Sequence, residues 1–288
     1  MRFINCLRKS ICLDLKNGFF RRWIVLAAPV IFGTVSFENF WRHIQLLVRD
    51  NQMKISEITF GDCWMYVYGG MKVYMQHNDK FSFPVIWMLL FMLGMFLVLN
   101  YPFKDLQSVG QQVLVRMGGR LEWWLSKCIW NLVSTFYYHG MILLILMGLC
   151  RINGISIALK VNLTLLCQLF DIAGLECFLD NTSFTVIWLL LPVCMAAALS
   201  LLQMMMALYL GPLISFLIST IILIISAYLF LPSIPGNYMM ALRAGWLLRD
   251  GMKSTGGYIM VFGIVVIASV LGYIKFKKHY DIVGGENN

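Results

Sequence analysis

The sequence predicts an all-α integral membrane protein with six transmembrane helices, preceded by an amphipathic N-terminal helix at the membrane interface. Of its 288 residues, 60% are hydrophobic and only 13% are charged, whereas soluble domains usually contain about 25% charged residues. Charge-free stretches as long as a membrane crossing recur along the chain, and basic residues flank them. A chain of this composition requires the bilayer as its solvent.

The transmembrane helices are predicted from these charge-free stretches, because a helix needs about 20 apolar residues to cross the hydrocarbon core. The 62-residue charge-free interval 181–242 accommodates two helices with a turn near Gly211-Pro212. The first helix has the least defined boundaries, since only residues 23–37 precede Glu38. The predicted helices are 23–41, 84–103, 128–150, 185–204, 212–230 and 254–274.

The charge distribution predicts that both termini lie in the cytoplasm. The inner segments contain 13 Lys or Arg against 5 Asp or Glu, whereas the outer segments, counted from Glu38, contain 10 against 9; basic residues favour the cytoplasmic side. A five-helix alternative scores 16 basic residues inside against 7 outside, but it places Lys275, Lys277 and Lys278 outside, directly after the last helix. We therefore prefer six. The inner segments are 1–22, 104–127, 205–211 and 275–288, and the outer ones are 42–83, 151–184 and 231–253.

Residues 1–22 form the amphipathic helix. Phe3, Leu7, Ile11, Leu15 and Phe19 recur at every fourth position and are accompanied by six basic residues. A basic amphipathic helix before a membrane span lies in the interface. It could act as an anchor only or as a lever against a cytoplasmic partner, and the sequence leaves both roles open.

Two outer segments have local structure of their own. Residues 64–75 are rich in aromatics and are broken by Gly69-Gly70, which fits a short hairpin or two helical turns with the aromatics on the outer membrane face. Residues 231–253 are predicted to form a turn and then a short helix, 239–249, on or in the outer leaflet.

No catalytic, metal or cofactor site is predicted on this chain, so it is not expected to be an enzyme by itself. Gly118-Gly119-Arg120 lacks the spacing and the Lys-Ser/Thr pair of a phosphate-binding loop, and neither an HExxH nor a GxSxG motif occurs. No predicted membrane helix has an acidic residue at its centre, which argues against proton coupling. Basic residues beside apolar stretches indicate topology rather than nucleic-acid binding.

The eight cysteines include no pair at the spacing of a zinc or redox motif, and several lie in apolar stretches, where cysteine behaves as a small hydrophobic residue. The sequence allows a disulfide between Cys167 and Cys177 if that segment faces an oxidising compartment. In the third helix, Asn131, Thr135 and His139 should face protein or a water-filled path. The sequence leaves two roles for these three residues: they form hydrogen bonds between helices, or they line a transport path.

The order of several short segments resembles a known family over nearly the whole chain. The segments are FSFPVIW, YPFKDL, VRMGGRLEWWLSK, QMMMALYLGP, PGNYMMALR and FKKHYDIVG. In this order and spacing, the chain resembles the permease subunits of bacterial type-2 family ABC exporters, such as those for bacteriocin and lantibiotic export and immunity.

The resemblance implies a type-2 (type V-like) permease fold in the bacterial cell membrane. It implies a homodimer or heterodimer of permeases with two cytoplasmic ATPase subunits, which would bind ATP and Mg. The exported substrate would be an amphipathic peptide, lipid or drug. Residues 1–22 would be the connecting helix and 232–249 the re-entrant elements. The ATPase-coupling residues would be Arg116, Gly118, Gly119, Arg120, Leu121, Glu122, Trp123 and Trp124. A non-transporting sensor or scaffold that functions through segment 38–83 is the alternative.

Overall fold

The computed structural model describes residues 2–50, 53–73, 83–106, 119–172, 178–179 and 182–279, and within them the regular structure is helical. The only β pairing in these residues is four isolated bridges. Short 3-10 helices cover Ile55–Glu57, Pro235–Met239 and Ala241–Arg243, and a π-helical turn covers Leu15–Phe20. The α-helices are α1 Arg2–Asp14, α2 Trp23–Arg49, α3 Phe60–Tyr68, α4 Val85–Leu99, α5 Tyr101–Leu106, α6 Arg120–Ile152, α7 Leu163–Phe170, α8 Val186–Leu210, α9 Pro212–Tyr228 and α10 Ser254–His279.

Five helical stretches in the described residues are long and apolar enough to cross a membrane: α2, Val85–Asp105 (α4 with α5), α6, α8 and α10. They confirm the predicted class, an all-α protein with several membrane helices. The remaining predicted span, α9, is apolar but has only 17 residues. At about 1.5 Å per residue it is about 26 Å long, which is shorter than the roughly 30 Å hydrocarbon core.

Two of the helices extend well beyond their predicted ends. α2 continues past residue 41 to Arg49, and α6 begins at Arg120 rather than at 128. An exposed ion pair between Arg42 and Glu38, 3.0 Å long, lies on the extended part of α2. Hydropathy marks only the apolar part of a helix, whereas polar turns can extend it into water, so these two helices are longer than the membrane spans predicted within them.

One end of the bundle brings together the first helix, the start of α6 and the end of α10. Arg120 donates to the carbonyl oxygens of Phe276 at 3.1 Å and Lys277 at 2.7 Å. In the same region, Lys127 contacts Asp14 and Asp105. We call this end the terminal face and define it by these residues.

The opposite end is covered by residues 53–73, 155–172 and 229–253, which we call the distal cap. The backbone N–H groups of Phe60 and Gly61 donate to the carbonyls of Ser156 (2.9 Å) and Ala158 (3.1 Å), and Leu242 N–H donates to Gly69 O at 3.1 Å. The cap is thus one hydrogen-bonded unit built from three separate parts of the chain.

The cap differs from the predicted outer segments in two respects. Residues 60–68 form a helix, and its aromatics do not lie on the outer membrane face: Trp64 and Tyr68 are 1% and 0% exposed. The helix enters the bundle, because Tyr68 reaches His139 near the middle of α6. The predicted helix 239–249 is replaced by 3-10 turns, since Arg243 in this segment is buried and binds backbone carbonyls.

Apolar side chains cover the outside of the bundle, as a chain immersed in hydrocarbon requires. Ile31 on α2, Leu213 on α9, and Ile259 and Phe262 on α10 are each more than half exposed. Inside, α8 presents consecutive buried alanines at 196–198, and small residues of this kind let membrane helices approach closely.

Candidate functional site

A buried ion cluster on the terminal face joins three helices. The ammonium group of Lys127, 1% exposed, contacts the carboxylates of Asp14 and Asp105, the latter at 2.6 Å. Asp14 also accepts hydrogen bonds from the hydroxyls of Ser126 and, at 2.9 Å, of Tyr101. Buried charges are costly unless they are paired and hydrogen-bonded, and this arrangement meets both conditions.

The helices place these groups from distant parts of the chain. Asp14 is the last residue of α1, Tyr101 and Asp105 lie on α5, and Lys127 lies near the start of α6. The Lys127 nitrogen is also 4.8 Å from the Tyr101 ring centroid and 5.0 Å from that of Trp123, distances at which cation–π attraction operates. The cluster therefore fastens the N-terminal helix to α5 and to the start of α6.

The N-terminal helix packs through one edge of the predicted stripe. Ser10 and Asp14 are its buried positions, and Leu7 and Ile11 beside them are half-buried. At the two ends of the stripe, Phe3 is 41% exposed and Phe19 is 6% exposed. The polar groups face inward because Lys127 and its neighbours accommodate them. The exposed apolar residues suit a membrane interface, and this location stays a prediction.

Six of the eight predicted coupling residues are described, and Arg116 and Gly118 lie outside the described residues. Gly119, Arg120, Leu121 and Glu122 are half-buried at the start of α6. Contact between these residues and an ATPase stays a prediction.

Trp123 and Trp124 are buried within the chain. Trp123 stacks on Phe276 with ring centroids 4.5 Å apart, and Trp124 Nε1 donates to Ser269 O at 2.8 Å. Both indoles therefore bind the start of α6 to α10.

The polar residues predicted for a transport path are all buried on α6 and have partners within the chain. Ser200 Oγ on α8 donates to Asn131 Oδ1 at 2.9 Å, and Thr135 donates to the carbonyl of Asn131 at 3.0 Å. His139 Nδ1 is 3.0 Å from the Tyr68 hydroxyl. The contacts of Asn131 with α8 and of His139 with α3 support the interhelical interpretation, and a transport path along these residues stays a prediction.

Two buried charged residues escaped sequence reasoning. Asp14 is the only acidic residue in segment 1–22, and this is the one feature of the sequence that could have marked it. The other, Arg243, is 0% exposed in the distal cap, and nothing in its local sequence indicates burial.

All five N–H groups of Arg243 are used. They donate to the carbonyls of Met71 (3.0 Å), Lys72 (3.2 Å), Ser226 (2.5 Å) and Ala227 (2.8 Å) and to the side-chain oxygen of Asn237. Ser226 and Ala227 belong to the last turn of α9, whose free carbonyls form the negative end of the helix dipole. With no donor left for a ligand, Arg243 has a structural role.

The described residues contain no group of three or more His, Cys, Asp or Glu side chains that could hold a metal ion. A cavity in the distal cap, lined by Trp64, Trp188, Asn237, Tyr238 and Trp246 among others, has about 10 Å³ available to the centre of a water molecule. This volume holds about one water molecule.

No protein-family model, curated protein or solved structure matches the chain. Within the described residues, five helical stretches are suited to cross a membrane, and they define the class of protein as an all-α membrane protein. A more specific function is therefore argued from the sequence and from the terminal face.

Proposed function

We propose that the chain is the membrane-spanning permease subunit of an ABC exporter in the bacterial cell membrane. It would move an amphipathic peptide, lipid or drug out of the cell, using ATP that a separate subunit hydrolyses. Two permeases, identical or related, would assemble with two cytoplasmic ATPase subunits that bind ATP and Mg. Both termini would then be cytoplasmic, and α9 would be the sixth crossing.

The observation that supports coupling is the convergence of α1, the described ends of segment 104–127 (104–106 and 119–127) and α10 on the terminal face. Lys127 joins the segment to Asp14 of α1, and Arg120 joins it to the carbonyls of Phe276 and Lys277. A displacement of this segment would therefore move the N-terminal and C-terminal helices with it. An ATPase that pushes on the segment would have a direct connection to the bundle.

The contacts of α9 support its assignment as a sixth crossing despite its length. Tyr209, just before α9, donates to Leu271 O near the terminal end of α10. The last turn of α9 is held by Arg243 in the distal cap. A helix between these two positions traverses the bundle, and an even number of crossings leaves Asp14 and Lys277 on one side.

A membrane sensor or scaffold is the second candidate, and the buried core of the distal cap favours it. Trp64, Tyr68, Met239 and Leu247 are each at most 1% exposed, so the cap is a packed structure that could itself present a binding surface. This function would require the cap and no ATPase.

Co-purification separates the two functions. The chain is expressed with the soluble proteins encoded beside it, and the purified complex is reconstituted in vesicles. A permease should bring down a phosphate-binding-loop ATPase, and replacing Arg120 and Glu122 by Ala should lower ATPase activity. Replacing the exposed pair Arg42 and Glu38 by Ala is the matched control and should leave activity unchanged. If no ATPase co-purifies and activity in cells depends on residues 53–73, the sensor function is favoured.

A further inference from the structure

Two buried thiols meet where the distal cap joins the bundle. Cys63 lies on α3 and Cys150 lies in the last turn of α6, and both are 0% exposed. Both belong to one buried cluster, in which the two thiols are near enough to interact, although 87 residues separate them along the chain. Neither residue takes part in the proposed coupling mechanism.

The backbone around both cysteines holds them in this position. Phe60 N–H and Gly61 N–H donate to Ser156 O and Ala158 O, which fixes the start of α3 against the chain that follows α6. A side chain at Gly61 would overlap the carbonyl of Lys160, so the two backbones approach closely here. The Ile155 N–H donates to Cys150 O at 2.9 Å, which ties the end of α6 to the same segment.

We propose that Cys63 and Cys150 form a disulfide in the mature protein and so fasten α3 to α6. The inference rests on the proposed function in one respect, namely that the distal cap faces the oxidising outer compartment, where disulfides persist. The sequence left open a bridge between Cys167 and Cys177. Cys177 lies outside the described residues, whereas the Cys63 and Cys150 thiols already lie together.

The reaction is thiol–disulfide exchange with a disulfide-bearing protein oxidant. The thiolate of one cysteine attacks a sulfur of the oxidant and displaces one of its sulfurs as a thiolate. The second cysteine then attacks the mixed disulfide and releases the other. One S–S bond forms in the cap and one breaks in the oxidant, whose two thiolates take up the two protons; the cap is oxidised by two electrons and the oxidant is reduced by two.

Exchange must take place before the cap closes. Burial raises the pKa of the Cys63 thiol well above its usual value, so the reactive thiolate is scarce in the folded protein. Once the cap has packed, the bond should therefore resist reductants until the protein is denatured.

Peptide mapping tests the proposal. Cells are treated with N-ethylmaleimide, and the protein is denatured with more reagent and digested without a reductant. The expected product is a peptide pair linked through Cys63 and Cys150, whereas Cys128 should be alkylated. Cys63→Ser should abolish the link and leave Cys150 alkylated, whereas Cys167→Ser should retain it. Alkylation of both Cys63 and Cys150 in the unreduced parent protein would overturn the proposal.

A second measurement in the same cells tests the orientation separately. Cys12 is exposed on α1, and a membrane-impermeant maleimide should modify it in inverted vesicles but not in intact cells. Modification in intact cells would overturn the proposed permease orientation, whatever the state of the thiols. If Cys12 is not modified in intact cells but Cys63 and Cys150 are free thiols, only the disulfide proposal is overturned and the proposed orientation stands.

Discussion

Lys127, near the start of α6, donates to Asp14, the last residue of α1, and the two side chains are 1% and 6% exposed. This ion pair bridges 113 residues of sequence and is a buried connection between the N-terminal helix and the bundle. A buried ion pair adds little stability over an apolar replacement of the whole pair, but removing one partner leaves an uncompensated charge. Replacing only one member of this ion pair should therefore lower the free energy of unfolding substantially.

Replacing Lys127 by Met retains the length of the side chain but leaves the carboxylates of Asp14 and Asp105 without their shared cation. We expect the free energy of unfolding to fall by about 3–5 kcal/mol, measured by denaturant or thermal unfolding in detergent. Arg42→Met is the matched control, because its ion pair with Glu38 is exposed and worth about 0–1 kcal/mol. Equal losses in the two variants would show that the buried cluster has no special role.

A double-mutant cycle should reveal direct coupling between Asp14 and Lys127. We expect the combination of Asp14→Asn with Lys127→Met to cost less than the sum of the single variants by about 0.5–3 kcal/mol, because Lys127→Met leaves the Asp14 carboxylate without its cation and Asp14→Asn removes that uncompensated charge. The free energy of unfolding is measured in the same way for the parent protein, the two single variants and the double variant. Additive losses would mean that the two side chains act independently.

Replacing Arg243 by Lys should destabilise the distal cap although it conserves the charge. Lys has three donors and no planar fork, so at least two of the five acceptors around Arg243 would lose their hydrogen bond. Each unsatisfied buried acceptor costs about 1–3 kcal/mol, and a loss of about 2 kcal/mol or more is expected in thermal unfolding. Arg249→Lys in the same segment is exposed and should unfold like the parent protein. An unchanged Arg243→Lys variant would contradict the assigned role.

Trp124 requires a glycine opposite it on α10. A Cβ atom at Gly272 would overlap the six-membered part of the Trp124 ring, whereas the same atom at Gly263 would meet nothing within 4 Å. Ala favours a helix over Gly by about 1 kcal/mol, so Gly263→Ala should raise the melting temperature. Gly272→Ala should lower it and shift the tryptophan fluorescence, because the indole must move away from Ser269 O. Similar shifts for both variants would argue against this contact.

The sequence predicted the membrane helices because each needs only a sufficiently long apolar stretch, which is a local property. It did not predict that α6 begins at Arg120, since the polar first turns are held by contacts with Phe276 at the other end of the chain. The ion cluster was missed for the same reason. Lys127 and Asp14 each resemble ordinary flanking charges, and only the folded chain brings them together.

The packing of α3 was also beyond prediction from the local sequence. Its aromatic residues were predicted to lie on the outer membrane face. The folded chain pairs Asp62 with Asn162 N–H at 2.7 Å and Tyr68 with His139. These partners are 100 and 71 residues away, beyond the reach of local patterns.

Asp62 should make the stability of the cap depend on pH. Its carboxylate accepts from the N–H groups of Thr59 and Asn162, but burial outweighs these bonds and raises the pKa of Asp62 from 3.8 to about 6. The folded state therefore retains a proton that the unfolded state has already released, and stability falls as the pH rises from 3.8 through about 6.

Asp62→Asn removes this titration while conserving the shape of the side chain and one acceptor oxygen. We expect the melting temperature of the parent protein to decrease across that pH range relative to the variant, and the difference between them to level off above the folded-state pKa. Because the other carboxylates are common to both proteins, subtracting the two curves isolates Asp62. A constant difference across the range would mean that the two backbone donors keep Asp62 ionised despite its burial.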